Sequence, residues 1–463
     1  MPKKARSNYM KLKKIVFVIL GIIIFMLSFN IYSMYQQDTA SLSFKLEAKS
    51  DLFDDYQLFY TTKKGEEWSE ERSINQTYDQ VGKWQTIKYM IPKDVSLLRL
   101  DLGTKEKSVN IQNVQIVGNK SINLSFVQSI TKENQVTKII EDKTGVEIQV
   151  AKGDPFLILD IRSVGKDAIG HMNFPDKVTS VVLSVITSII FLYILKSTKE
   201  ILGFLREIYK GRGLIFSLAR NDFKTKYASS YLGIVWGFIN PLLTIVTYWF
   251  VFQVGLRSGD VSEVPFILWF IVAIIPWFFF SEALTGATNV YSEYSYLVKK
   301  VVFKIELLPV VKIVSALFVH LFFFVFMFVI YAGYGYFPDI YDFQLLYYLI
   351  CTIALIVSVS LLTSTLVLFF KDLNQIIMIV LQIGFWFTPI GWPYTMLSKF
   401  WINVFKLNPM FYIVEGYRDT FIRNILFTEH PYYTLYFWLF CSAAFVIGIK
   451  SLKKLKPHFA DVI

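Results

Sequence analysis

Long apolar runs separated by short charged joints fill most of this chain. A bilayer crossing needs about 20 mostly apolar residues. Eight stretches read as spans: Ile15–Tyr35, Val178–Leu195, Ile234–Leu256, Phe266–Thr288, Leu307–Tyr331, Leu345–Phe370, Ile376–Ile390 and Tyr433–Ile449. Between the first two lies a polar stretch, 37–176, with a different rhythm. Leu42, Phe44, Leu46 and Ala48 alternate with polar neighbours, as do Leu98, Leu100 and Leu102, and Val146, Ile148 and Val150. Alternation of period two predicts half-buried strands. The clusters Lys63-Lys64-Gly65, Val81-Gly82-Lys83 and Val117-Gly118-Asn119 supply turns between them. Several short strands with regular turns predict a β-sandwich.

The first span follows Lys3, Lys4, Arg6, Lys11, Lys13 and Lys14, and Ser28-Phe29-Asn30-Ile31-Tyr32 offers no small-residue cleavage site. It is expected to be an uncleaved anchor rather than a signal peptide. After the second span, Ile201, Phe204, Leu205 and Ile208 fall on one helical stripe, with Lys199, Arg206, Glu207 and Lys210 off it. Such a helix lies in the membrane interface. Gly211-Arg212-Gly213 is expected to break it before Leu214, Ile215 and Leu218. The stretch 391–432 holds Pro393, Pro409 and Pro431 around an apolar stripe, Phe411–Ile422, and predicts short re-entrant helices. The domain plan is therefore 1–36 (basic tail and first span), 37–176 (β-sandwich), 177–199 (second span), 200–232 (amphipathic interface segment) and 233–463 (six-span core).

Charge orients the spans. Lys and Arg collect in cytoplasmic loops. Here they crowd the N-terminus, the loop after span two (Lys196, Lys199, Arg206, Lys210, Arg212, Arg220, Lys224, Lys226), the loop after span four (Lys299, Lys300, Lys304) and the tail (Lys450, Lys453, Lys454, Lys456). The loop after span five has Asp339 and Asp342 instead. Both termini are expected in the cytoplasm and 37–176 outside, in a bacterial plasma membrane. The chain is 54% hydrophobic, 18% charged and +11 overall. Residues 38–176 carry 18 basic and 21 acidic residues, so the remainder stands at +14. A basic remainder in a membrane protein faces anionic lipid rather than nucleic acid. The two cysteines, Cys351 and Cys441, sit in apolar runs, so no disulfide framework holds the polar domain.

One run joins surface to membrane: Arg220-Asn221-Asp222-Phe223-Lys224-Thr225-Lys226-Tyr227-Ala228-Ser229-Ser230-Tyr231-Leu232-Gly233-Ile234-Val235-Trp236-Gly237-Phe238-Ile239-Asn240-Pro241. Further on come Asn289-Val290-Tyr291 through Pro309, then Phe369-Phe370-Lys371-Asp372-Leu373-Asn374-Gln375. Phe385-Trp386-Phe387-Thr388-Pro389-Ile390, Leu407-Asn408-Pro409-Met410, Tyr417-Arg418-Asp419 and Phe459–Ile463 complete the series. In this order, over 200–463, the segments resemble the permease subunits of ABC exporters for O-antigen, capsule and teichoic acid. The first 199 residues depart from a minimal permease. The resemblance implies two paired copies around a channel, a cytoplasmic ABC ATPase docked on each, and ATP-driven outward movement of a lipid-linked polymer. It implies an ATPase-coupling set of Arg220, Asp222, Lys224, Tyr291, Lys299, Lys300 and Lys304. Intramembrane charge, helix prolines and aromatic rings that could line a sugar path make Tyr231, Trp236, Glu282, Trp386, Pro389, Trp392, Tyr394 and Arg418 the channel and gate candidates. ATP and Mg would belong to the partner subunit, since the chain has no G-x-x-x-x-G-K-[ST] phosphate loop. No catalytic constellation or metal-ligand spacing is visible, and His171, His320, His430 and His458 are scattered.

Two readings of Glu282 stay open: a polar channel residue, as intramembrane charges usually are, or a carboxylate near the cytoplasmic end. His320 is expected to be a hydrogen-bonded interior residue. Lys371 and Asp372 form either a solvated turn or an ATPase contact. In the polar domain Trp68, Tyr78 and Trp84 are candidate sugar-stacking rings, set against a plain core or surface role. Other readings of the whole chain are a drug or lipid efflux permease, a membrane sensor, and a glycosyltransferase using a lipid-linked sugar.

Overall fold

The computed structural model describes residues 17–34, 42–62, 66–105, 107–118, 120–142, 145–169, 174–226, 228, 231–256, 259, 261, 264–299 and 304–462. The chain divides into two compact units, Val18–Ser188 and, apart from the first residues, Ile189–Ile463.

The first unit begins with helix α1 (Phe17–Met34). Eleven strands follow: β1 (Leu42–Ser50), β2 (Asp54–Thr61), β3 (Ser73–Tyr78), β4 (Gln85–Ile91), β5 (Leu97–Asp101), β6 (Lys107–Val117), β7 (Ser121–Asn123), β8 (Ile130–Asn134), β9 (Val136–Asp142), β10 (Gly145–Val150) and β11 (Phe156–Asp160). A helical turn α2 (Phe126–Ser129) precedes β8, and α3 (Arg162–Ile169) closes the domain. One sheet has the order β4-β1-β6-β10-β9 with β7 on β6; the other runs β3-β2-β5-β11-β8. All pairings are antiparallel. The alternating residues of the sequence are the ones buried between the sheets: Leu42, Phe44, Leu46 and Ala48 on β1, Leu98 and Leu100 on β5, Val146, Ile148 and Val150 on β10. Of the expected turns, the one at Gly82 has φ +75°, and the Gly82 N–H donates to Ser50. Lys63-Lys64-Gly65 and Asn119 fall outside the described residues.

A buried ion pair anchors the loops at one edge of the sandwich. Lys107 Nζ donates to Asp54 Oδ2 at 2.6 Å, and the Thr104 N–H donates to the same oxygen at 3.1 Å. Burial pushes the Asp54 carboxyl up. The Lys107 hydrogen bond and charge, with the Asp55 and Thr104 amides, outweigh it and hold it below the ordinary range. Gly103 (φ +87°) must be glycine, because a Cβ there would stand 2.1 Å from Asp54 Oδ2.

The second unit holds the remaining membrane helices. They are α4 (Phe174–Lys196, whose last turns enter this unit), α5 (Thr198–Lys226), α6 (Trp236–Trp249), α7 (Phe266–Glu293), the turn α8 (Ser295–Val298), α9 (Leu308–Gly333), α10 (Gln344–Val367), α11 (Asp372–Phe387), α12 (Lys399–Phe405), α13 (Pro409–Arg418), α14 (Pro431–Leu455) and α15 (Phe459–Val462). Seven helices among the described residues are long and apolar enough to cross a bilayer. The chain is a multi-pass membrane protein. The eighth expected span is α11, which has 16 residues. At a rise of about 1.5 Å per residue it reaches about 24 Å, short of a hydrocarbon core of about 30 Å. Helix α7 is the hub: its 28 residues are buried along most of their length against α9, α10 and α13.

Two expectations about α5 change. The helix runs unbroken through Gly211-Arg212-Gly213. Gly211 serves close approach instead, since a Cβ there would lie 2.7 Å from Leu307 Cδ1. Within the expected stripe, Phe204 is buried and Ile201 and Ile208 pack beside it, but Leu205 is exposed. The stretch 391–432 does hold two short helices, α12 and α13.

Candidate functional site

Two clusters of charged residues within the membrane unit involve the candidate site residues. The first is a cavity of about 730 Å³ between α5, α6, α7, α9 and α11, toward the end that carries the basic loops. The end of α5 brings Asp222, Thr225 and Lys226 to it, α7 brings Glu282 and Glu293, and α9 brings Lys312. Lys312 Nζ donates to Asp222 Oδ1 at 2.7 Å and also pairs with Glu293. The Tyr294 hydroxyl donates to Asp222 at 2.9 Å. Lys226 pairs with Glu282. Five charges from three helices thus neutralise one another around a water-accessible space, with one carboxylate in excess. An ionisable group at membrane depth persists where it finds such partners.

Glu282 therefore lines a cavity toward the end that carries the basic loops, a position that both of its readings allow. Its partner Lys226, and Lys312 with Glu293, escaped sequence reasoning. Lys312 was findable, being a lone cation inside the apolar run of α9. Asp222, expected on the ATPase-facing surface, is buried in this network. Tyr291, from the same set, is fully buried and its ring centroid lies 5.3 Å from that of Phe459 near the C-terminus. Both are corrected to internal roles: they tie helix ends together. Arg220, Lys224, Lys299 and Lys304 are exposed at the basic end, and Lys300 lies outside the described residues. Lys371 and Asp372 are exposed in a tight turn.

The second place is the opposite end of the unit. Arg418, expected at a gate, is 2% exposed. Its guanidinium stacks 3.5 Å from the centroid of Trp269. Nη1 donates to the carbonyl of Pro389 and to Glu415, each at 2.6 Å, and Nη2 donates to Ile390 at 2.9 Å. Arg423 bridges Glu415 and Asp419, and His430 reaches Asp419 at 3.1 Å. Arg418 is thus an internal clamp that satisfies the carbonyls released where α11 ends, and Pro389 is buried beneath it. The remaining gate candidates are accessible. Tyr231, Trp236 and Trp386 are exposed, and Trp392 and Tyr394 partly so. The Trp392 indole N–H donates to the Trp386 carbonyl at 3.1 Å, and Tyr394 packs edge-on against Phe411.

His320 is interior, stacked 4.6 Å from Phe279, but neither ring nitrogen has a hydrogen-bond partner among the described residues. The expected hydrogen bond is absent because α9 is surrounded there by aromatic rings. In the β-rich domain, Tyr78 is fully buried, and its hydroxyl lies 2.8–2.9 Å from the carbonyls of Ser50, Gln80 and Lys83. It is a core residue that gathers a turn, not an exposed ring. Trp84 is exposed and Trp68 partly exposed.

Residues 213–422 match the family described as ABC-2 type transporter. An O-antigen export system permease protein RfbA from Myxococcus xanthus is 29% identical over 232 residues, 49% of this chain and 86% of that protein. Two proteins of the same description from Klebsiella pneumoniae are 26% and 25% identical, each over 54% of this chain and 95% of their own length. The membrane core of this chain is therefore similar to ABC-2 type transporters and to these O-antigen export permeases, and a β-rich domain precedes it.

Proposed function

We propose that this chain is the membrane subunit of an ATP-driven exporter of a lipid-linked cell-surface polysaccharide, with teichoic-acid-like polymers in the same class. One observation carries the reading: the likeness to O-antigen export permeases spans nearly their whole length. Two copies pair, and each takes a cytoplasmic ABC ATPase that holds ATP and Mg. The exposed apolar faces of α6 and α11, including Leu243, Val246, Ile379 and Ile383, support the pairing. Both termini face the cytoplasm and 37–176 faces outward. Arg220, Lys224, Lys299 and Lys304 form the ATPase-facing surface. The network of Asp222, Lys226, Glu282, Glu293 and Lys312 couples α5 to the spans, so that movement of α5 reaches the cavity. Trp386, Trp392, Tyr394, Tyr231 and Trp236 offer rings along the polymer's path, and Trp84 and Trp68 offer rings outside.

Deleting the chain in its native host tests this. Lipid-linked glycan should accumulate inside the cell while the surface polymer disappears. Unchanged surface glycan, in cells without a second such exporter, would overturn the proposal.

A further inference from the structure

A second cavity of about 380 Å³ lies at the basic end, between the start of α5, the segment before α9 and the end of α14. Four lysines and three glutamates line it. Lys304 pairs with Glu207, and Lys456 with Glu306 at 2.8 Å. Those pairs cancel. Lys199 and Lys453 have no carboxylate partner among the described residues, and Glu200 has one buried oxygen without a hydrogen-bond partner. The uncancelled groups are thus two ammoniums and one carboxylate. Apolar Phe204, Leu307 and Ile449 form the rest of the lining, beside the open backbone of Gly203.

The position matters as much as the charge. The long apolar helices α4 and α14 end here, and Lys450 Nζ, 3.7 Å from the centroid of Tyr193, joins their ends. On α5, Leu202, Leu205 and Tyr209 are 66%, 53% and 69% exposed. Apolar side chains on the outer face of an interfacial helix sit at the boundary of acyl chains and headgroups. The cavity therefore opens at headgroup depth, with a basic rim and an apolar floor.

We propose that this cavity holds the headgroup of a membrane glycerophospholipid. The phosphate lies between Lys199 and Lys453, and Glu200 accepts a hydrogen bond from a headgroup hydroxyl or ammonium. The ligand chemistry is a phosphate joined to a hydrogen-bond donor, and its source is the bilayer. The site would fix α5, and with it the ATPase-facing surface, to the lipid. Only that consequence rests on the export reading; binding itself needs neither ATPase nor polymer.

The test is lipid retention by the full-length chain. The protein is reconstituted in phosphatidylcholine nanodiscs containing some phosphatidylglycerol, extracted in mild detergent, and its bound lipid counted by native mass spectrometry. Wild type is expected to keep phosphatidylglycerol, and K199A/K453A to lose it about thirtyfold, from roughly 1 kcal/mol per lysine at an anionic surface. K371A, in an exposed turn at the same end, is expected to match wild type. E200Q keeps the lysines and should weaken phosphatidylglycerol more than dimyristoyl phosphatidate, which tests the site even if the double variant fails to fold. Equal retention by wild type and K199A/K453A overturns the proposal. So does displacement of the lipid by millimolar inorganic phosphate, which would make the site one for free anions. Either failure leaves the export reading standing.

Discussion

Asp222 and Lys312 stand 90 positions apart in sequence and meet at 2.7 Å beside the larger cavity. One comes from the amphipathic helix α5, the other from the long apolar helix α9. Their side chains are 11% and 13% exposed. Removing one partner of a buried ion pair costs about 3–5 kcal/mol. The cavity wets this pair, so D222A is expected to fall at or below the low end, read as a drop in Tm of the detergent-solubilised protein. The exchanged variant D222K/K312D should regain part of the loss. No recovery would show that position, not pairing, matters here.

Arg418 gives a sharper case. Its planar guanidinium serves two carbonyls, a carboxylate and the Trp269 ring at once. Lysine cannot reproduce that fork. R418K is therefore expected to destabilise the protein nearly as much as R418A, with faster hydrogen exchange where α11 ends. A wild-type-like R418K would contradict the clamp.

Gly103 and Gly82 separate two effects of glycine in the β-rich domain. Both have positive φ, but only at Gly103 would a Cβ strike Asp54. A left-handed non-glycine residue costs about 1–2 kcal/mol, which is all that G82A should lose. G103A also displaces Asp54 from Lys107, for a total of about 4–7 kcal/mol. Hydrogen exchange in β2 and β6 of the full-length protein distinguishes the two.

Asp101 adds a pH dependence. Burial pushes its carboxyl up to about 6, more than the Arg99 hydrogen bond and charge pull it down. The folded state therefore holds the proton more tightly than the unfolded chain, whose value is about 3.8. This contribution is fully present below about 4 and is lost as pH rises through about 6. Exchange protection of β5 and β11 should fall across that window in wild type and stay flatter in D101N. Identical profiles would contradict the assignment.

The legible parts of the chain were those with a strong local period. The strand alternation from Leu42 to Ala48 and the start of α7 at Phe266 agree with the structure. What escaped depends on partners distant in sequence. Tyr78 ends a polar run in the sequence, yet it is buried and its hydroxyl gathers the carbonyls of Ser50, Gln80 and Lys83. Gly211 resembles a helix break, because only the approach of Leu307 explains it. The lone Lys312 signals function without naming Asp222 and Glu293. The shortness of α11 follows from the tight turn before it and from the Arg418 clamp after it, neither of which hydropathy records.

The most direct test of the account is reconstitution with a nucleotide. The tagged chain is purified from its native membrane, its partners identified, and the complex placed in vesicles loaded with lipid-linked glycan. The account predicts a stoichiometric ABC ATPase and ATP-dependent transfer of the glycan across the bilayer. A chain that purifies alone from cells expressing every ABC ATPase of the host, and moves no glycan with any of them, would contradict it.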